Sequence, residues 1–488
     1  MRGGRDLTVL DEPRPLAGPP APRISRARVA RAGLARVMLA FLLGSVLVLA
    51  SSIRSSAQGS GPDIVSPEVE AVYDPYRGMD PDGRIPRIDK SRYVDRPERW
   101  RYIPEGRIKP GNIFQRFLLS SFAVPIFFSN QDVGTGFGVA LTDIDFRQQR
   151  RREFLGGFFS YTTEEQQSYV LRWRRWLKHM DVPGGGVLQE ERSFVRAGGG
   201  YRKTLTRRFF GIGPSTQERE ETSYTDEVVF LDLGVSRSLE GAFSDFVLEV
   251  GVRGEGHWLS GGKVGGQPTT EELFPLLFQE ADRVALGWLS TGLRWDTRDS
   301  QRNPYRGTAL GASVDAALGQ NDGDLGAIYR VFADQIFPVP SPIHDGGDPN
   351  EENPPTDSIA FHFETQLSSG RLPFFARPTL GGSELLRGYI AGRWRDDALW
   401  TAAAEYRFWV IPRGFTIWRH IRIERIGAAL FYEVGGVAEN GYGLFHERVR
   451  QSYGISGRAT IERAAIFRLD FGFSEEGLNF AAGFGLSF

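Results

Sequence analysis

The chain has 488 residues, with 59 Lys and Arg against 60 Asp and Glu, a balance that gives no electrostatic reason to expect nucleic acid as a partner. Cysteine is absent, which excludes disulfides, thiolate nucleophiles and Cys-ligated metal centres. Glycine is frequent at 59 residues and aromatics make up 12%, a combination expected where many strands bend, turn and meet two membrane interfaces.

At the N-terminus, Arg23, Arg26, Arg28, Arg31 and Arg36 precede an apolar run over 37–50, and Ser55-Ser56-Ala57 follows. Basic residues, a short apolar stretch and small residues in that order predict a signal peptide over 1–57, cleaved after Ala57. The apolar run falls short of the ~20 residues that a bilayer-spanning helix needs. Residues 58–112 are polar and interrupted by Pro62, Pro67, Pro75, Pro81, Pro86, Pro97, Pro104 and Pro110, so long helices are disfavoured. The segment reads as an extended periplasmic stretch that lies against, or plugs, whatever follows.

From residue 113 onward, short alternating segments recur between Gly, Pro and Asp-rich turns, and no apolar run is long enough for a spanning helix. Leu478, Phe480, Ala482, Phe484, Leu486 and Phe488 form one face of the final segment, with Asn479, Ala481, Gly483, Gly485 and Ser487 on the other. Phe467, Leu469, Phe471 and Phe473 alternate with Arg468, Asp470 and Gly472, and Trp400 to Phe408 alternate with Thr401 to Trp409. Between 359 and 367 the polar side carries His362, Glu364 and Gln366. A soluble sandwich has the same period, but the leader, the strand lengths and the aromatic C-terminal strand point to membrane strands with lipid on the apolar side. Turns at Asn130, Arg150, Glu164, Pro183, Gly211, Arg237, Gly262, Gln301, Asn321, His344, Arg371, Arg413, Asn440, Arg463 and Glu476 divide the chain into about 16 strands, an even number as single-chain outer-membrane barrels require. The expected fold is therefore all-β, a transmembrane antiparallel barrel over 113–488. Even parity puts both ends in the periplasm, makes 371–396 a long outer loop and leaves 338–355 on the periplasmic side.

Five blocks in order carry a resemblance. They are Pro125 with Asp132, Gly134, Gly136 and Gly138; Arg208-Phe209-Phe210-Gly211-Ile212-Gly213; and Asp296-Thr297-Arg298-Asp299 with Pro304 and Gly307. Then come Leu380-Gly381-Gly382 leading into Leu386-Arg387-Gly388-Tyr389, and 431–435 with the C-terminal strand. Together they resemble the barrel of the bacterial surface antigen superfamily, which includes BamA, TamA and the two-partner-secretion transporters. The resemblance implies that Arg387, Gly388 and Tyr389 sit on a loop between the eleventh and twelfth strands that folds back into the lumen, where Arg387 pairs with a wall acid. Glu433 stands where the family has Asp; Phe431, Glu433 and Gly435 share the lumen face, and Glu405 points inward from the neighbouring strand. The alternative for Arg387 is a solvated loop cation.

Asp296, Arg298, Asp299, Pro304 and Gly307 read as a structural hairpin end at the periplasmic interface, and Phe484, Leu486 and Phe488 as the strand recognised during barrel assembly. The family normally carries POTRA modules before the barrel, and 58–112 holds no convincing one. The resemblance implies insertion or translocation of polypeptides; the rival is a passive pore or surface anchor. Implied partners are outer-membrane lipid, the assembly machinery that inserts the barrel and a separate periplasmic receiver protein. No enzyme is expected: Gly381-Gly382-Ser383 is not a nucleophile elbow. His179, His257, His344, His362, His420 and His446 lack the spacing of a helical metal site, and His362 with Glu364 reads as lumen lining, with neither metal nor cofactor.

Overall fold

The computed structural model describes residues 78–80, 83–104, 122–130, 133–144, 152–320, 323–418, 421–461 and 465–488. The expected signal peptide, its expected cleavage site and most of the Pro-rich stretch lie outside them, as do Asp132, His420 and the turns expected at Arg150, Asn321 and Arg463.

Alternating segments pair with their sequence neighbours wherever a tight turn joins them, and here sixteen long strands do so in one antiparallel meander that curls into a barrel. In chain order they are β1 (Phe122–Asn130), β2 (Gly134–Ile144), β3 (Glu153–Thr162), β4 (Gln167–Trp176), β5 (Phe194–Phe209), β6 (Thr222–Ser238), β7 (Phe246–Gly261) and β8 (Arg283–Asp296). They continue as β9 (Gly307–Gly319), β10 (Gly326–Val339), β11 (Asp357–Gly370), β12 (Ala398–Ile411), β13 (Ile421–Ala438), β14 (Arg450–Ile461), β15 (Ala465–Ser474) and β16 (Gly477–Phe484). A short strand, Phe415–Trp418, adds a hairpin at the foot of β13. Among the described residues no helix is long and apolar enough to cross a membrane.

The two faces separate as the period of 2 demands. Leu430 and Tyr432 of β13 and Leu469, Phe471 and Phe473 of β15 are exposed on the outside, while Phe431, Glu433 and Asp470 are buried on the inside. Along β12, after the buried Ala398 and Leu399, the buried positions alternate as Thr401, Ala403, Glu405, Arg407 and Trp409. Phe480 and Phe484 of β16 face outward, 57% and 69% exposed.

The alternation ends sooner than the sequence pattern predicts. Gly485 adopts φ +85°, β16 stops at Phe484, and Leu486 and Phe488 are not part of the strand. Phe488 turns inward: its ring stacks on His362 at 4.9 Å, the Arg407 guanidinium lies 4.9 Å from it, and its backbone oxygen accepts from Arg407 Nη2 at 3.1 Å. The expected outward face thus holds through Phe484 only. A left-handed glycine reverses the chain before the last aromatic can reach the outside.

At one end of the barrel, residues 83–104 form a strap across the turns. Trp100–Ile103 pairs with Val187–Glu190, which pairs with His179–Asp181. Arg99 and Arg96 bind Asp245, Arg101 binds Glu191 at 3.1 Å, and Pro86 bridges to Glu351. The outer edge of Trp100–Ile103 is covered by one ion pair, Lys90 Nζ to Glu352 Oε1 at 2.7 Å: the ammonium donates to the Trp100 carbonyl at 2.8 Å and the carboxylate accepts from Tyr102 N–H at 3.4 Å. Those two charges satisfy the backbone groups that an open strand edge leaves unpaired. A cavity of about 760 Å³ lies between the strap and the turns around Ser300 and Asn353.

Candidate functional site

The loop between β11 and β12 builds its own small core before it reaches the barrel wall. Thr379–Leu380 pairs with Trp394–Arg395, and Leu380, Leu386, Tyr389 and Trp394 pack with Leu399 and Val437 of the wall. Gly381 and Gly382 take φ of +101° and +124°, and a Cβ on Gly381 would lie 2.6 Å from the Ile390 carbonyl oxygen. Such turns exclude side chains. Leu386, fully buried, holds φ +57°, a strained conformation for a residue with a side chain, maintained by the packing around it.

That turn delivers Arg387 to the interior, where it is 0% exposed. Its Nε donates to Glu433 Oε1 at 2.8 Å and its backbone N–H to Glu433 Oε2 at 2.6 Å. Nη1 donates to Glu405 Oε1 at 3.0 Å and lies 3.3 Å from Asp470 Oδ1. The guanidinium sits 3.6 Å from the centroid of the Phe431 ring, in cation–π geometry. Ser452 Oγ donates to Glu433 at 2.8 Å. The Glu433 side chain, longer by a methylene than the Asp of the family pattern, thus grips both the guanidinium and the backbone of Arg387.

Gly388 follows because nothing larger fits: a Cβ there would lie 2.6 Å from the Phe473 carbonyl oxygen, and one on Gly472 would lie 2.6 Å from the Arg387 carbonyl. The loop tip and β15 therefore meet backbone to backbone. Asn479 Nδ2 donates to the carbonyls of Arg387 and Tyr389 at 2.9 and 3.0 Å, and Ser474 Oγ to that of Gly388 at 2.8 Å. Tyr389 meets Trp394 edge to face at 4.6 Å. Gly435 gives Leu386 room, since a Cβ there would lie 3.2 Å from Leu386 Cδ1.

The structure brings together Arg387, Gly388, Tyr389, Glu405, Glu433 and Gly435, and adds residues that the sequence reading left without a role. Asp470 completes a triad of carboxylates around Arg387. Arg407 and Arg458 bind Glu405 at 2.7 and 2.6 Å, and Arg468 binds Asp470 at 2.8 Å while donating to the Ser383 carbonyl. Four buried guanidiniums thus share three buried carboxylates, an arrangement in which each carboxylate answers more than one cation. The available signal was alternation: Arg407 shares a face with Glu405, and Arg468 with Asp470. Above this cluster Arg393 donates from Nε to both Glu476 oxygens at 2.8 and 2.9 Å and lies between the rings of Phe210 and Trp394. Gly213 N–H donates to the Arg395 carbonyl at 2.9 Å, so the Arg-Phe-Phe-Gly block of the sequence is a seat for the loop.

The Asp296 block lies apart from the loop, at the turn between β8 and β9 beside the strap. Arg298 binds Asp296 at 3.1 Å and Asp334 at 3.3 Å, and its carbonyl accepts from Arg192 at 2.7 Å. Asp299 accepts from the N–H groups of Tyr305 and Arg306; burial pushes its carboxyl up despite those bonds. Gly307 at φ +111° brings its Cα over Arg298, and Pro304 is buried in the same turn. Asp334 also holds His362 Nδ1 at 2.7 Å, with Glu364 3.6 Å from Nε2. Among the described residues no group of three or more His, Asp or Glu could hold a metal ion.

Residues 278–488 match the Omp85 superfamily domain. Among solved structures, BamA from Haemophilus ducreyi lacking POTRA domains 1–3 is similar at 13% identity and a TM-score of 0.44, over 75% of this chain and 69% of that one. CdiB from Acinetobacter baumannii is similar at 11% identity, TM-score 0.41, over 75% of this chain and 59% of that one. CdiB from Escherichia coli gives 10% identity and a TM-score of 0.42, over 75% of this chain and 61% of that one. The chain therefore spans about three fifths of either CdiB protein. No curated protein sequence matches it. That match spans the C-terminal half of the barrel, including the loop, its Arg387 and all three carboxylates.

Proposed function

We propose that the chain sits in a bacterial outer membrane and assists the insertion or translocation of polypeptides there, without enzymatic chemistry. The observation that carries this reading is the buried Arg387 cluster. A guanidinium drawn from water into a lumen, matched by three carboxylates on β12, β13 and β15, is a costly arrangement, and it fixes one loop tip against one wall of the barrel. That wall includes the last strands of the meander. The edges of the meander are short, β1 with 9 residues and β16 with 8, and Pro125 in β1 has no N–H to give to a neighbour. An anchored loop beside short edge strands suits a barrel whose edge opens to a client strand. A client-receiving partner in the periplasm, outer-membrane lipid and the machinery that inserts the barrel itself complete the proposed setting.

The test is Arg387→Ala in proteoliposomes supplied with an unfolded outer-membrane client. Removing Arg387 leaves Glu433 with the Ser452 hydroxyl but no cation, a local cost that leaves the strand ladder intact, so the barrel is expected to stay resistant to heat on a gel while client insertion falls at least tenfold. Retained insertion in that variant would sink the reading.

A further inference from the structure

On the wall formed by β4 and β5, the lumen face is basic and its cations are not used. The outward residues there are Tyr169, Leu171 and Tyr201, which places Arg172, Arg174, Arg196 and Arg202 on the inner face. Among the described residues none of these four makes an ion pair, in contrast to the Arg387 cluster, where every guanidinium has a carboxylate. Arg174 lies over the Phe194 ring at 4.3 Å and Arg202 over the Phe230 ring at 4.9 Å. Ring stacking holds a guanidinium plane and leaves its five N–H donors free. Arg174 and Arg196 stand directly opposite each other across the ladder, where like charges repel. Arg172 and Arg196 are exposed. At the periplasmic foot Arg302 lies over the Trp176 ring at 5.2 Å.

The acids on adjoining strands are mostly engaged elsewhere. Glu249 binds Arg294, Asp226 binds His257, and Glu255 faces Arg253, His257 and Trp288. Among the described residues Asp232 borders the column, opposite Gly198. Gly198 and Gly200 put no side chains of their own between the arginines, and the Asp232 carboxylate leans over Gly198, its Oδ1 2.6 Å from where a Cβ would stand.

We propose that this wall is a binding track for oxyanions, with Arg172, Arg174, Arg196 and Arg202 offering successive bidentate sites to phosphate-type groups over about 20 Å of strand. Planar paired donors match the geometry of such anions better than ammonium groups do. The track is independent of the Arg387 loop and needs no client.

Pyrophosphate titrated into the detergent-solubilised full chain tests it by calorimetry. Saturable binding is expected, at least tenfold weaker in Arg174→Gln/Arg196→Gln and unchanged in Arg371→Gln, an exposed outer-loop control. The double variant removes two facing like charges, so its heat resistance is expected to equal or exceed that of the parent, which separates lost binding from lost fold. No saturable binding, equal binding by the double variant, or an equal loss in Arg371→Gln would each overturn the proposal. Because no client is present, such a failure leaves the polypeptide reading untouched.

Discussion

Glu405 is the most heavily shared group in the lumen, facing Arg387, Arg407 and Arg458 at 3.0, 2.7 and 2.6 Å. Neutralising either glutamate leaves four guanidiniums with two carboxylates, but Glu405 answers three of those cations and Glu433 only Arg387. Breaking a buried pair typically costs about 3–5 kcal/mol. Glu405→Gln is therefore expected to reach the upper end of that range and Glu433→Gln to fall below it, read as loss of heat resistance in a urea series. Equal effects would mean that the Glu405 side chain is bathed in water. Steric contact makes a separate prediction at Gly472, whose Cβ would lie 2.6 Å from the Arg387 carbonyl. Gly472→Ala is expected to lift the loop tip at a cost of about 1–3 kcal/mol, exposing 377–395 to protease while every charge stays in place.

Among the elements, the strap is held by a short ladder and a set of ion pairs, of which Lys90–Glu352 covers its outer edge. Glu352→Ala would leave Lys90 without its carboxylate and Tyr102 N–H without its acceptor. The pair is only partly shielded, with side-chain exposures of 14% and 4%, so a loss of about 1–3 kcal/mol is expected, seen as faster hydrogen exchange at 100–103 than in the parent. The strap also marks where sequence reading stops. Strand positions follow from alternation, and the turns expected at Glu164, Pro183, Gly211, Gly262, Gln301, His344, Arg371, Arg413, Asn440 and Glu476 all fall between strands; Asn130 is the last residue of β1 and Arg237 lies just inside the end of β6. A segment such as 83–104 has no periodic signal, because its structure is imposed by ion pairs to turns far away in sequence. The short helices Thr270–Leu273 and Pro275–Ala281 between β7 and β8 escaped for the same reason: strand alternation says nothing about what a long turn contains. The Arg387–Glu433 pair was legible because a motif and a strand face agreed. Its extension to Asp470, Arg458 and Arg468 depends on the register of β13, β14 and β15, which residue types do not specify.

Taken whole, the barrel presents an apolar exterior whose partner is read as hydrocarbon, and that claim is measurable by depth. Leu430 lies at the middle of β13 and is 51% exposed on the outer face, flanked across the ladder by Tyr406 and Ile455. An arginine at the bilayer midplane costs about 2–4 kcal/mol, and close to nothing near the interfaces. Tyr442, 89% exposed on the loop after β13, supplies the control beyond the apolar belt. Leu430→Arg is therefore expected to lower the unfolding free energy in lipid vesicles by about 2–4 kcal/mol, and Tyr442→Arg to leave it within error. If the exterior faced water or another protein's polar surface, Leu430→Arg would be tolerated as well as Tyr442→Arg, because an exposed strand residue replaced by a long charged one ordinarily changes stability little. Depth dependence distinguishes a membrane belt from a merely apolar surface, since only a bilayer grades the cost from midplane to rim.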